Sequence, residues 1–176
     1  MLRIALLSLI ALAACRASGA LEDAPPLEAV SELDLERYAG RWFEISKYPV
    51  SFEKGLVAVT AEYSMRDDGK VRVLNSGSKG TFDGERKTAT AKAWVPDPDR
   101  PAELKVMFFW PFSAKYWVIA LDDDYRWAIV GEPGRKYLWI LARNPAMEDA
   151  RYASLVERVR ELGYDPERLE RMPQSR

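Results

Sequence analysis

Eight short β-type runs between Arg41 and Arg143, each closed off by turn-forming residues, constrain the fold of this chain more than any other feature. The runs are Arg41–Tyr48, Leu56–Met65, Lys70–Ser76, Arg86–Val95, Ala102–Phe109, Lys115–Leu121, Tyr125–Glu132 and Tyr137–Ala142. Between them stand Pro49, Asp67-Asp-Gly69, the Gly77–Gly84 stretch, the Pro96–Pro101 stretch, Trp110-Pro111, Asp122-Asp-Asp124 and Pro133-Gly134. Each of these fixes or frees the backbone in a way that strands do not use. No helix-length segment separates one run from the next, so the crossovers that parallel strands require are excluded and antiparallel neighbours follow. Eight such strands hide their edges by closing into an up-and-down barrel, and about eight is the number whose interior holds one small ligand. A β-sandwich with a filled core is the competing architecture, and the spacings alone do not separate the two.

The flanks are of different character. Asn144-Pro145 places a capping residue before a proline at the first helical position, and Tyr152, Leu155, Val156, Val159 and Leu162 then recur at helical spacing until Gly163. With Glu157, Arg158, Arg160 and Glu161 on its other face, this helix is expected to pack on the outside of the barrel. Upstream, Ser31-Glu-Leu-Asp34 is a start signal ahead of Leu35 and Tyr38, predicting a turn or two of helix that delivers the chain into the first strand. Further upstream, Arg3 precedes the apolar stretch Ile4–Ala14, which is too short to cross roughly 30 Å of hydrocarbon. Residues 1–14 therefore read as a secretory signal peptide. Leu12-Ala13-Ala14-Cys15 resembles the lipobox of bacterial lipoproteins, which implies that Cys15 is acylated and anchors the protein to a membrane. Arg16, rather than Asp, behind that cysteine implies the outer membrane. An ordinary signal peptide that contains a cysteine is the plainer alternative. Residues 15–30, with Pro25-Pro26 and no apolar period, are expected to be the lipidated tether, which leaves 31–176 as one folded domain.

Composition removes several chemistries. The chain has no histidine and a single cysteine, which excludes imidazole-based nucleophile systems, His-ligated metals, an internal disulfide and a CxxC redox pair. Lys and Arg number 26 against 27 Asp and Glu, so no excess of positive charge points to nucleic acid. The stretch from Asn75 to Gly84 lacks the spacing and following helix of a phosphate-binding loop, and Asp122-Asp123-Asp124 lacks the continuation of a calcium loop. No metal and no cofactor is expected.

Three separated motifs carry a family resemblance. Tyr38-Ala-Gly40-Arg-Trp42-Phe-Glu-Ile45 resembles the Gly-x-Trp signature that opens the first strand of lipocalins. Leu121-Asp-Asp-Asp-Tyr125 is similar to their second motif, the acidic turn before the seventh strand, and Leu138-Trp-Ile-Leu-Ala-Arg143 to their third. The match runs from about Leu33 to Met172. The finer likeness is to bacterial outer-membrane lipoprotein lipocalins and to the apolipoprotein D and plant temperature-induced lipocalins. It rests on Ala61-Glu-Tyr-Ser64, Val71-Arg-Val-Leu-Asn75, Lys92-Ala-Trp94, Leu104-Lys-Val-Met-Phe-Phe109 and Tyr116-Trp-Val-Ile-Ala-Leu121. The resemblance implies an all-β eight-stranded barrel, no catalysis, and a fatty acid or lysophospholipid as partner. It also marks Gly40, Trp42, Asp122, Tyr125 and Arg143 as structural. Trp42 is suited to plug the narrow end of the barrel beneath the guanidinium of Arg143, a desolvated contact worth on the order of 2 kcal/mol.

Period-two alternation assigns the inward faces. Val57, Val59, Ala61 and Tyr63 share one face of the second strand, and Val71, Val73 and Asn75 one face of the third. Leu104, Val106 and Phe108 are expected inside from the fifth strand, Tyr116, Val118 and Ala120 from the sixth, and Tyr137, Trp139 and Leu141 from the eighth. Of these, Val59, Tyr63, Val73, Asn75, Val106, Phe108, Tyr116, Val118 and Trp139 are the candidate ligand contacts; Tyr63, Asn75, Tyr116 and Trp139 also match pocket positions of the apolipoprotein D-like lipocalins. As a set they suit a long apolar tail with one hydrogen-bonded head. The loops after strands one, three, five and seven share one end and bring Phe52, Phe82, Trp110 and Phe112 there; Trp110 and Phe112 are expected either to meet a bilayer or an amphiphile entering the cavity, or to tuck under the loop as a small cluster. Lys54, Lys79, Arg135 and Lys136 are expected to add positive charge around that mouth. Two alternatives to lipid carriage stay open: a lipid-modifying enzyme on the same barrel, and an envelope scaffold that recruits a partner or forms a homodimer.

Overall fold

A computed structural model describes residues 25–175. The expectations for the signal peptide, for Cys15 and for the tether up to residue 24 lie outside the described residues. Strands β1 (Gly40–Lys47), β2 (Leu56–Met65), β3 (Val71–Lys79), β4 (Arg86–Trp94), β5 (Glu103–Phe109), β6 (Phe112–Leu121), β7 (Trp127–Gly131) and β8 (Leu138–Ala142) form an antiparallel meander. β1 also pairs with β8, from Phe43 opposite Ala142 to Lys47 opposite Trp139, and this ladder closes the barrel. Closure in a single ladder, rather than a division into two packed sheets, is how the strands dispose of their edges.

Two apolar layers follow from the pleat. Trp42, Tyr63, Val71, Val73, Leu104, Val118 and Leu141 fill the inner face. Ile45, Tyr48, Ile119, Ile129, Leu138 and Ile140 form an outer layer covered by Leu155 and Val159 of helix α2 (Asp149–Glu161). Gly131 shows how tightly that outer layer is built: a Cβ there would lie 2.1 Å from the hydroxyl of Tyr164.

Several local expectations are revised. Helix α1 (Leu35–Tyr38) is capped by Asp34, which accepts from the amides of Glu36 and Arg37, and not by Ser31. Asn144 accepts from the amide of Ala146 in a separate turn, so α2 begins only at Asp149. Residues 25–30 are not free tether: Leu27 is buried in the outer layer, and the amide of Val30 donates to the carbonyl of Val118. β3 continues to Lys79, because Gly77 and Ser78 pair with Lys87 and Arg86 of β4. In β6 the register shifts between Val118, opposite Val130, and Ala120, opposite Ile129. That bulge puts Ala120 into the outer layer and turns Leu121 inward, because alternation does not survive an inserted residue.

A ninth strand was not legible in the sequence. β1 pairs with β2 only from Gly40 to Phe43, and where the two part, β9 (Glu170–Arg171) takes up Lys47 and Ser46. The amide of Met172 then donates to the carbonyl of Ile45, and that of Ala58 to Pro173. The side-chain amide of Gln174 bridges the carbonyls of Glu44 and Val59 at 2.7 and 2.8 Å. The C-terminal segment is therefore the lacing that shuts the seam between the first two strands.

Candidate functional site

The closed end of the barrel is built by the three motifs acting on one another. Gly40 has φ +93, a conformation that favours glycine, and a Cβ there would approach the guanidinium of Arg143 to 3.3 Å. Two residues on, Trp42 is fully buried and its indole donates to the carbonyl of Tyr38 at 2.8 Å. The guanidinium of Arg143 lies 4.0 Å from the Trp42 ring centroid. It donates to the carbonyls of Arg37, Ala39 and Arg41 at 2.7, 2.9 and 2.9 Å and reaches those of Tyr38 and Tyr125 at 3.3 Å. Asp122 orders the β6–β7 turn by accepting from the amides of Asp124 and Arg126, and Tyr125 accepts from the amide of Asp34. These residues seal the floor.

Above Trp42 sits a relay of three tyrosines. Tyr116 of β6 shares hydrogen bonds with Tyr38 at 2.8 Å and with Tyr63 of β2 at 2.7 Å. Three hydroxyl protons serve two bonds, so one O–H remains as a donor for a ligand acceptor. Burial raises all three phenols above their usual range, which keeps them protonated at neutral pH. Asn75 lies opposite Ala61, and its side-chain carbonyl is buried without a hydrogen-bond partner.

Higher up, Val59 and Val73 are buried in the wall, whereas Ala61, Val106, Tyr116 and Trp139 pack on the inner core yet stay half-buried. Inward side chains of a closed barrel with a plugged floor meet solvent from the mouth, so the lumen is open above. Phe108 stands at the rim, 40% exposed, and Tyr137 is exposed and stacks on Trp139. At the β5–β6 tip Phe109, Trp110 and Phe112 are 80%, 84% and 79% exposed, which excludes a tucked satellite cluster. Phe52 and Phe82 are exposed on neighbouring loops of the same end. Arg135 turns its guanidinium away from the lumen to the outer layer, where it donates to the carbonyls of Leu162 and Pro25 and lies over the ring of Tyr164.

Sequence reading missed the polar group inside this barrel. Glu44, Lys47 and Glu53 are buried, with Lys47 Nζ 3.6 Å from Glu53 Oε2. Glu44 is in phase with Trp42, and that alternation is the signal that could have found it. Lys47 arrives there through a register shift between Glu44 and Ser46, and Glu53 through a short helical turn, Ser51–Glu53, that folds the β1–β2 loop back over the barrel. Burial, then the charge of Glu53, pushes the Glu44 carboxyl well up, while Lys47 pulls it down. Burial also raises Glu53, against the pull of Lys47.

Fold and site together define a cup with a plugged floor, an apolar wall and an open aromatic rim, a binder of small hydrophobic molecules. A family model described as a lipocalin-like domain matches residues 33–174, and the chain belongs to the lipocalin family. It is 40% identical over 162 residues to temperature-induced lipocalin-1 of Arabidopsis thaliana, covering 85% of this chain and 83% of that one. It is 41% identical over 143 residues to the outer membrane lipoprotein Blc of Escherichia coli K12, covering 80% of each. Among solved structures, insecticyanin from the tobacco hornworm Manduca sexta superposes with a TM-score of 0.67 over 86% of each chain, at 24% identity, a likeness of fold.

Proposed function

We propose that this lipocalin is held at the outer membrane by a lipid on Cys15, facing the periplasm, and that it binds, stores or transports single-chain amphiphiles, fatty acids or lysophospholipids. The observation that carries the reading is the exposed aromatic rim set directly over an apolar lumen with a few polar tips. In this reading Val59, Val73, Val106, Phe108 and Val118 enclose the tail, and Tyr63, Asn75, Tyr116 and Trp139 supply the polar contacts. Burial of the chain drives binding at about 0.8 kcal/mol per methylene before ordering costs are subtracted.

The path of the N-terminal segment supports a mouth turned toward the membrane. Arg135, in the β7–β8 loop at the mouth, holds the carbonyl of Pro25 at 2.6 Å. From there the chain runs past Val118 to the closed end. At about 3.3–3.6 Å per residue, the stretch from Cys15 to Pro25 spans at most about 35 Å. An acylated Cys15 would hold the rim within that distance of the bilayer, where Trp110 and Phe112 suit the interface. The outer membrane lipoprotein among its relatives supports the same placement.

Native mass spectrometry of the full-length protein extracted from membranes tests the reading. One fatty acid or lysophospholipid per chain, displaced unchanged by an added amphiphile, is the expected result. Release of a chemically altered product, or an empty barrel in a stable complex with another protein, contradicts it.

A further inference from the structure

The polar group at the head of the lumen holds more acid than base. Glu44, Lys47 and Glu53 retain 3%, 5% and 8% of their exposure, and the ion pair between Lys47 and Glu53 leaves the Glu44 carboxyl over. Glu44 Oε1 and Glu53 Oε2 are buried and accept no hydrogen bond. The titratable groups facing Glu44 are Glu53, Lys47 and Tyr63; those facing Glu53 are Glu44 and Lys47, with the Trp139 indole beside them. Two carboxylates against one ammonium in a desolvated site demand one more positive charge, which a retained proton supplies when nothing else does.

We infer that Glu44 and Glu53 form a head-group site for an ammonium-bearing amphiphile, whose ammonium supplies the positive charge that Lys47 alone leaves unmatched. This rests on the amphiphile-binding reading and narrows it to a head group. A fatty acid would bring a further negative charge against Glu53, and the site discriminates against it. Were the cluster merely a latch for the loop, Lys47 and Glu53 would suffice and Glu44 would have no reason to be acidic.

Calorimetric titration of the full-length protein, in two buffers of different ionisation enthalpy, tests this with a lysophosphatidylethanolamine, a chain-matched alkylamine and a chain-matched fatty acid. Both ammonium amphiphiles are expected to release close to one proton per molecule bound and to tighten by up to about tenfold per pH unit while the pair holds its proton. At neutral pH they are expected to bind at least about tenfold more tightly than the fatty acid, a difference of about 1.4 kcal/mol. Either ranking of the two supports the site and reports whether the phosphate is read as well. Glu44→Gln should abolish the proton release and bring all three affinities within about twofold; should that variant not fold, the proton count on the unaltered protein still decides. Equal affinities without proton release overturn the head-group site and leave amphiphile carriage standing. If none of the three binds, the carriage reading fails first and takes this inference with it.

Discussion

Replacing Arg143 by methionine keeps much of the side-chain length and removes what the guanidinium does at the closed end. It loses the cation–π contact at 4.0 Å from Trp42 and the donors to the carbonyls of Arg37, Ala39 and Arg41. A desolvated contact of that kind contributes about 2 kcal/mol. The carbonyls of Arg37 and Arg41 lie close enough to solvent to recover water, so we count about 2 kcal/mol for the three bonds together, for a total loss of about 4 kcal/mol. Arg143→Lys keeps a charge near the indole but has no fork to reach several carbonyls at once, and about 2 kcal/mol should be lost. Urea unfolding followed by tryptophan fluorescence reads both values, with an unchanged slope showing that the same surface is exposed on unfolding. A loss below about 1 kcal/mol for Arg143→Met, or an Arg143→Lys variant as stable as the parent, would refute the account of the floor.

Further outcomes follow from the same geometry. Trp42→Ala should cost roughly 3–5 kcal/mol in the same unfolding assay, as large core truncations do. Gly131→Ala should lower stability by about 1–3 kcal/mol, because the new methyl meets the Tyr164 hydroxyl; calorimetric melting with a Tyr164→Phe partner should recover part of the loss. Tyr116→Phe removes the hydroxyl common to both hydrogen bonds of the relay and should cost about 1–3 kcal/mol, read by thermal unfolding. Glu44 in the folded state is raised above its unfolded value of about 4.3. Its contribution to stability is therefore complete below that pH and is lost as pH rises through the raised value. A pH series of unfolding free energies should show that fall in the parent and a flatter profile in Glu44→Gln.

The barrel was legible because each strand is bounded by residues that cannot continue it, and because Val71 and Val73, or Leu138 and Ile140, hold a strict alternation. What stayed hidden lies where the period slips or the partner is distant. Ala120 was assigned to the wrong face because a bulge reverses the phase beyond Val118. β9 consists of two charged residues, Glu170 and Arg171, and becomes a strand only because β1 and β2 leave backbone groups unpaired beside it. The acidic pair was half visible. Glu44 shares the inward phase of Trp42, but Glu53 is a loop residue, and no local pattern reports that its loop folds back over Lys47. Arg135 looked like a mouth cation for the opposite reason: its partners, Pro25 and Leu162, are 110 and 27 positions away.

One amphiphile is expected inside this barrel with Trp139 beside it. Titrating the full-length protein with a single-chain amphiphile brominated along its tail, while following tryptophan fluorescence, tests that most directly. Saturable quenching at one ligand per chain is expected, with most of the quenched signal missing in Trp139→Phe. Quenching that never saturates, or that is unchanged in Trp139→Phe, would place the ligand outside the barrel and contradict that expectation.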